Sequence, residues 1–306
     1  MASEDTFHHV RDFRYFELPF GGKIDLPHFE LPFWGDFHVT KFMVLQSLAF
    51  LFCFFIFWGL SRKIKGGRPA TGWWWNAWEA MALYVRDNIV RPTIGHPHAH
   101  PHGEHDEHDR GGVHDPHPGE YHPEEDDIDH PADKYLPFIW SCFFYILILN
   151  LFGAVPSLGS ATGNINVTAV LAVFAFFMTI YAGVQTSGAT GFVASLCPTM
   201  DLSPGMKLFL VPMILLIEVL GFFIKHAVLA IRLFANIMGG HTVLGVMLMF
   251  IGMAAHQGAV LFWVVTPASV LGQVGIGLLE LLVAFIQAYV FAMLATLFIS
   301  ASVNPH

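Results

Sequence analysis

The sequence predicts an all-α polytopic membrane protein. The chain has 306 residues, of which 54% are hydrophobic and only 13% charged, and 30 of them are phenylalanines. Soluble globular domains carry about 25% charged residues. Several apolar runs approach the roughly 20 residues that an α-helix needs to cross the hydrocarbon core of a bilayer. The apolar runs, and not a typical domain size, therefore define the segments of this chain.

The formal net charge of −9 comes mainly from one polar stretch, so it says little about binding partners, and we expect no nucleic-acid binding. The three cysteines, Cys53, Cys142 and Cys197, lack metal-ligand spacing and are interpreted as small core residues. No sequence pattern indicates a cofactor. The N-terminal segment, residues 1–40, has no signal-peptide features, and we expect it to remain on the mature protein.

The first membrane-crossing helix is predicted at residues 41–61. Four basic residues follow this apolar run closely: Arg62, Lys63, Lys65 and Arg68. Cytoplasmic loops are enriched in Lys and Arg. We therefore expect this end of the helix in the cytoplasm and residues 1–40 on the outside.

Residues 62–94 are too polar to cross the membrane but predict an amphipathic helix. One apolar face is formed by residues at steps of three and four, namely Trp74, Trp78, Met81, Ala82, Val85 and Ile89. The tryptophans favour a helix that lies at the cytoplasmic membrane interface. A helix that packs on another subunit fits the same pattern nearly as well.

Residues 95–134 form a stretch of a different kind, with ten of the 18 histidines, 12 acidic residues and repeated prolines. This composition provides no packed core and predicts a disordered cytoplasmic insert. Histidine-rich tracts can bind transition metals weakly, and the candidates are His96, His98, His100 and His102. The favoured interpretation is a solvated insertion without a metal site.

From Tyr135 to Met200 the chain has no Asp, Glu, Lys or Arg. Two crossings are predicted here, at residues 135–156 and 166–186, with an uncharged connection that we expect outside. The polar exceptions are Asn150, Asn164, Asn166 and Thr168. Hydrogen bonds between packed helices are the default interpretation of all four.

The last third contains two apolar runs, residues 208–253 and 258–303, that are too long for one perpendicular crossing each. The first run is either two crossings that meet near Lys225 and His226 or one steeply tilted helix, and the pattern leaves both open. Pro267 is a possible kink in the second run.

Ionisable side chains inside a membrane indicate function. Glu218, Lys225 and Arg232 are seven residues apart, so they share one helical face at intervals of about 10 Å. Asn236 lies on that face too, whereas His241 is on the opposite side. Arg232 has no carboxylate three or four residues away, so its counter-charge is expected from another chain. A structural salt-bridge network between helices is the alternative.

The second run repeats this seven-residue spacing with Glu280 and Gln287. A lone Gln in an apolar helix most often makes a packing hydrogen bond. A lone Glu requires more, such as a partner or water.

The stretch "AIRLFANIMGGH" (230–241), together with "FIQAYVFAMLATLFIS" (285–300), resembles subunit a of F-type ATP synthases. Supporting matches are Glu218, fourteen residues before the arginine, and the motifs "YVRDNIVRPTIG" (84–95), "ILNLFGAVP" (148–156) and "GNINVT" (163–168). The resemblance covers about residues 41–303 without the histidine-rich insert, which departs from the family's pattern.

This resemblance implies about five membrane-crossing helices, a long tilted C-terminal helix hairpin and a cytoplasmic C-terminus. Residues 135–306 would form the proton-channel helical domain, and the chain would be a non-catalytic stator subunit in a bacterial inner or plasma membrane. Its partners would be a ring of c subunits, the peripheral-stalk b subunits and other ATP synthase subunits. Two offset half-channels would carry protons to and from ring carboxylates.

The resemblance also implies residue roles. Arg232 would face the ring, flanked by Asn236 and Gln287. His241 and Glu280 would exchange protons in the outer half-channel. Four further polar residues complete the set of candidates: Glu218, which the resemblance places in the inner half-channel, Lys225 on the same helical face, and the two asparagines of "GNINVT", Asn164 and Asn166.

Two other function classes are consistent with parts of the sequence. A metal transporter would explain the histidine-rich insert, but His226, His241 and Glu280 make a poor intramembrane ligand set. A haem-copper oxidase subunit requires paired helix histidines, which this sequence lacks.

Overall fold

A computed structural model gives the fold, and it describes residues 15–17, 23–31, 35–64, 71–94, 130–155, 158–195 and 204–303. Five helices in this part of the chain are long and apolar enough to cross a membrane: Lys41–Lys63, Pro131–Ala154, Ile165–Gly188, Leu210–Gln257 and Ala259–Val303. The predicted fold class, an all-α polytopic membrane protein with about five crossings, is confirmed.

Two short β-hairpins precede the helices, and the sequence pattern did not predict them. Strand β1 (Tyr15–Glu17) pairs antiparallel with β2 (Lys23–Asp25), and β3 (His28–Leu31) pairs antiparallel with β4 (Gly35–His38). The sequence Phe-Glu-Leu-Pro-Phe occurs twice, at residues 16–20 and 29–33. Each copy begins inside the first strand of a hairpin, and its Pro-Phe end lies outside the described residues.

Helix α1 (Lys41–Lys63) is followed by α2 (Trp73–Val85), a π-helical turn (Arg86–Val90) and the short helix α3 (Arg91–Ile94). The predicted amphipathic face is largely buried, as at Trp78, Ala82 and Val85. It packs on the chain's own helices, because Trp78 contacts the ring of Phe52 on α1 edge-on and the ring of Phe144 on α4, which begins at Leu136, at a tilt.

Most of the histidine-rich insert lies outside the described residues, including the metal candidates His96, His98, His100 and His102. Its predicted end at residue 134 is too late, however. Residues Pro131–Tyr135 form a 3-10 helix in which Ala132 is fully buried. Arg91 donates two hydrogen bonds to the Asp133 carboxylate, at 2.9 and 3.2 Å, so the chain before and after the insert is joined at its base.

Helix α4 (Leu136–Ala154) is the centre of the core. Its apolar side chains are buried on nearly every side, among them Phe144, Leu147 and Leu149. A 3-10 turn (Ala161–Gly163) leads to α5 (Ile165–Ser195), whose helical geometry is broken at Gly188 with φ of +73°. A positive φ of this size favours glycine because other residues meet a steric penalty there.

The last two helices, α6 (Pro204–Gln257) and α7 (Ala259–Val303), form a hairpin. Helix α6 continues through Lys225 and His226, so the first run is one helix and not two crossings. Its 54 residues extend over about 80 Å, which requires a steep tilt in a hydrocarbon core of about 30 Å. Pro267 lies inside α7 without ending it.

The two helices of this hairpin are antiparallel. Contacts occur in opposite order along them: His226 with Phe298, Asn236 with Gln287 and His241 with Glu280. Four of the predicted site residues, Asn236, His241, Glu280 and Gln287, therefore lie along one shared seam.

Candidate functional site in the C-terminal hairpin

Helix α6 has a packed face and an open face around Arg232. Leu229, Leu233 and Ile237 are buried against the rest of the chain. Val228 and Ile231, which lie beside Arg232 on the other side, are exposed. The arginine is thus part of an apolar surface that the described chain does not cover.

Arg232 itself is exposed, and no described residue forms an ion pair or hydrogen bond with it. A guanidinium is always charged and carries five N–H donors. A charge on an open face of a membrane-crossing helix is costly unless a partner or water compensates it. The structure therefore supports the prediction that the counter-charge comes from outside this chain.

One turn beyond the arginine, α6 is joined to α7. The side-chain amide of Asn236 donates a hydrogen bond of 2.5 Å to the side-chain oxygen of Gln287. Gln287 is buried, and its Nε2 has no hydrogen-bond partner among the described residues. This pair fixes the two helices at the level of Arg232.

The second polar contact joins His241 and Glu280. Histidine Nε2 lies 3.7 Å from carboxylate Oε1, and the side chains are only 15% and 8% exposed. Gly240 makes room for the carboxyl group, because a Cβ atom there would lie 3.0 Å from Oε1. Within the described residues Oε1 accepts no hydrogen bond. Two groups that can exchange protons thus lie together inside the seam.

Glu218 and Lys225 do not join this cluster. Both side chains are exposed on α6, and neither has an ion-pair partner in the part of the chain that the structure describes. They precede Arg232 by fourteen and seven residues, or about 21 and 10 Å along the helix. The alternative of an internal salt-bridge network with Arg232 therefore has no support.

A family model described as the ATP synthase A chain matches residues 125–300, which is more than half of the chain. The ATP synthase subunit a of Chlorobium phaeobacteroides (strain BS1) is 31% identical over 300 residues, covering 97% of this chain and 75% of the relative. That of Myxococcus xanthus (strain DK1622) is 34% identical over 270 residues, covering 88% and 74%.

The chain belongs to the ATP synthase A chain family. It is a multi-pass membrane protein that functions within an ATP synthase complex, and its function is proton transport. The resemblance noted at residues 230–241 and 285–300 is thereby confirmed.

A buried polar network holds α7 of this ATP synthase subunit against α4. Asn150 accepts a hydrogen bond of 2.9 Å from the Thr162 hydroxyl, and its amide reaches the Ala284 carbonyl at 3.5 Å. Ser160 lies 3.2 Å from the same threonine oxygen. Because Ala284 lies between Glu280 and Gln287, this network positions both site residues.

Asn164 and Thr168 make hydrogen bonds to residues close to them in sequence. The side chain of Asn164 accepts a hydrogen bond from the backbone N–H of Asn166 and caps α5, and Asn166 is exposed. The Thr168 hydroxyl donates to the carbonyl of Ile165. The interpretation as packing hydrogen bonds is therefore correct for Asn150 and wrong for Asn164 and Thr168.

The sequence reasoning missed two residues of the seam, Thr266 and Gln273. Their hydroxyl oxygen and amide nitrogen are buried and have no hydrogen-bond partner among the described residues. The sequence spacing could have indicated them, because Gln273 and Thr266 lie seven and fourteen residues before Glu280, on the same helical face as Glu280 and Gln287. Among the described residues there is no group of three or more potential metal ligands.

Proposed function

We propose that this subunit forms two offset half-channels that carry protons to and from the carboxylates of a rotor ring. Proton flow would thereby drive ring rotation and ATP synthesis, with no catalytic step on this chain. The observation that carries the proposal is Arg232, a permanent cation on the open apolar face of α6 without a partner in the described chain.

The ring carboxylate is the natural partner of this cation. A carboxylate that moves through hydrocarbon must be neutral, since burying an unpaired charge is costly. Opposite Arg232 the anion is stabilised, so the carboxylic acid releases its proton there. Arginine does not titrate and cannot pass a proton on. It therefore separates the two half-channels.

His241 and Glu280 are proposed to exchange protons in the outer half-channel. Both groups can bind and release a proton, and they face each other across the seam at 3.7 Å. Glu218 would act in the inner half-channel, with Lys225 on the same face. On α6, Glu218 precedes Arg232 by about 21 Å and His241 follows it by about 14 Å, which supports an arginine that stands between two separate paths.

Asn236 and Gln287 are proposed to support Arg232. Their hydrogen bond lies one turn from the arginine and closes the seam at that level. Asn164 and Asn166 would support the site indirectly, through the cap at the start of α5.

The proposed orientation follows from the basic residues after α1. With Lys63 in the cytoplasm, the N-terminal segment and the α6–α7 connection lie outside, and the end of α7 lies inside. A bacterial inner or plasma membrane fits this topology. The proposed direct partners are the ring of c subunits, which covers the open face of α6, and the peripheral-stalk b subunits.

The test is the variant Arg232→Ala in the assembled complex. Inverted membrane vesicles would be supplied with ATP, and proton pumping would be followed with a pH-sensitive dye. We expect coupled pumping to be lost, because the ring carboxylate no longer has its counter-charge. Native gels would check that the complex still assembles. Arg86→Ala is the matched control, since Arg86 pairs with its exposed neighbour Asp87 outside the membrane-crossing helices. Retained pumping in the Arg232 variant contradicts the proposal.

A further inference from the structure

His226 is a buried histidine on a helix that is exposed over most of its length. The residue is 3% exposed, whereas Ile224 before it and Val228 after it are 49% and 44% exposed. Polar residues that face the interior of a membrane-crossing bundle are costly and usually have a specific role. The proposed function assigns no role to His226.

The imidazole ring lies where three helices meet. Its centroid is 5.2 Å from that of Phe176 on α5, 4.9 Å from that of Phe222 on α6 and 4.7 Å from that of Phe298 on α7. Ring pairs at these distances attract each other in tilted and edge-to-face arrangements. A single side chain of α6 is therefore packed against both neighbouring helices at once.

Both ring nitrogens have polar neighbours, which fix the orientation of the ring. Nδ1 lies 2.9 Å from the Phe222 carbonyl oxygen, which can only accept, so Nδ1 carries the hydrogen and donates. Nε2 lies 3.4 Å from the Thr179 hydroxyl oxygen on α5, at the long end of hydrogen-bonding distance. The ring thus makes one hydrogen bond within α6 and one polar contact across to α5.

These contacts do not form a proton relay. The Thr179 hydroxyl donates to the Ala175 carbonyl at 2.8 Å, so the polar chain ends at a backbone carbonyl on either side of the ring. In the described part of the chain, no hydrogen bond or ion pair joins His226 to another titratable side chain. A backbone carbonyl accepts hydrogen bonds but has no proton to release. The arrangement can hold a helix in place but cannot pass a proton on.

His226 and Asn236 anchor α6 on the two sides of Arg232. His226 precedes the arginine by six residues, which is about 9 Å along the helix and about 120° round it. Asn236 follows the arginine by four residues and bonds to Gln287. Arg232 itself has no partner in the described chain. Its depth and direction are therefore set by the α6 backbone between these two anchors.

We propose that His226 is a positioning residue for Arg232. The aromatic rings and the Thr179 hydroxyl hold one point of α6 against α5 and α7, which fixes the rotation and depth of the helix where the arginine faces its partner. The attraction between two charges falls with distance, and functional side chains must be held to within about 0.5 Å. This role rests on the proposed function, in which the partner is a ring carboxylate.

Disulfide cross-linking in the assembled complex tests this role. Cys53, Cys142 and Cys197 would be replaced, Val228→Cys or Ala235→Cys introduced on the open face of α6, and a cysteine placed beside the ring carboxylate. The quantity measured is the ratio of the two cross-link yields. This ratio does not change when a variant merely assembles less well, because both yields then fall together.

His226→Leu keeps a side chain of similar size but removes both nitrogens and the aromatic contacts. The ratio should change at least about threefold, since disulfide formation depends steeply on the separation of the Cα atoms. ATP-driven pumping per assembled complex should fall about tenfold, because Arg232 is misplaced. His226→Gln retains a polar group near the position of Nε2 and should bring both values back towards those of the parent protein. His256→Leu is the matched control, because His256 is exposed near the end of the same helix.

An unchanged ratio in His226→Leu overturns the proposal, and so does a changed ratio that His226→Gln does not restore. If His226→Leu fails to assemble, Thr179→Val decides the question, because valine keeps the shape of threonine but removes the polar neighbour of Nε2. A changed ratio in Thr179→Val then supports the role, and an unchanged one overturns it. Thr296→Val is the control for this variant, since the Thr296 hydroxyl bonds within α7 to Ala292.

Failure of this role is distinguishable from failure of the proposed function. If Arg232→Ala abolishes pumping while His226→Leu leaves the ratio unchanged, only the positioning role of His226 is refuted. If Arg232→Ala pumps normally, the proposed function is refuted whatever the His226 variants show.

Discussion

Helices α4 and α6 have similar hydropathy but opposite surroundings. Both are apolar enough to cross a membrane. In α4 most side chains are buried within the chain, whereas α6 is exposed over most of its length. Among the side chains that the structure describes, α6 also carries the exposed charged groups of Glu218, Lys225 and Arg232, while α4 (Leu136–Ala154) carries none.

This difference distinguishes a structural helix from a functional one, although both are almost entirely apolar. Lipid covers exposed leucine and phenylalanine without cost, so exposure alone says little about α6. Lipid cannot cover a guanidinium, so the same exposure at Arg232 indicates a missing partner. Helix α4 thus holds the chain together, and α6 carries the open face that we propose meets another subunit.

The largest expected effect on folding is at the centre of α4. Phe144 is 1% exposed and packs edge-on against Phe57 and Phe143. Phe144→Ala should lower the free energy of unfolding by about 3 kcal/mol, because it leaves a cavity among aromatic rings. On α6, Phe223 is 61% exposed, and Phe223→Ala should cost less than about 1 kcal/mol.

Reversible unfolding of the purified subunit in detergent measures both variants. Equal losses of stability at the two positions would contradict the difference between α4 and α6, because α6 would then contribute to the core as much as α4 does.

The next effect concerns proton exchange rather than folding. Glu280→Gln keeps the size of the side chain but removes its proton exchange, so pumping should fall about a hundredfold. The control is Glu79→Gln on α2, which lies outside the membrane-crossing helices. Vesicle pumping assays compare the two. If both variants pump like the parent protein, the seam of α6 and α7 is not the proton path.

The smallest expected effect lies where α4 meets α7, the helix that forms the hairpin with α6. Asn150→Leu removes the acceptor of the Thr162 hydroxyl and the donor to Ala284, and should cost about 1–2 kcal/mol of stability. Thr162→Val removes the same bond from the other side, so in a double-mutant cycle the two losses should not add. Asn76→Leu at an exposed position of α2 should change little. Strict additivity of the first two losses would show that the network is not coupled.

Much of this architecture could be predicted from the sequence, because membranes impose simple rules. Apolar length located the crossings. The seven-residue spacing of Glu218, Lys225 and Arg232 placed all three on one helical face, and the structure shows that all three are exposed. The phase of His241 separated it from Arg232, and the structure places it beside Glu280.

The failures have physical causes of three kinds. Periodicity does not distinguish one long tilted helix from two short ones, so the continuity of α6 at Lys225 could not be predicted from the sequence. The end of the insert was misplaced because Asp133 appears polar in sequence but pairs with Arg91 at a distance of 42 residues. The hairpins were missed because strands of three or four residues are too short to show a clear alternating pattern.

The central claim is that the open face of α6 around Arg232 meets the carboxylate of a rotor ring. Disulfide cross-linking tests it most directly. Val228→Cys and Ala235→Cys flank Arg232 by about one turn on exposed positions of α6, and Val173→Cys is an equally exposed control on α5. A second cysteine would be placed beside the carboxylate of the ring subunit. The account predicts cross-links from positions 228 and 235 and none from 173. Cross-linking from position 173 alone, or from no position in an active complex, would contradict it.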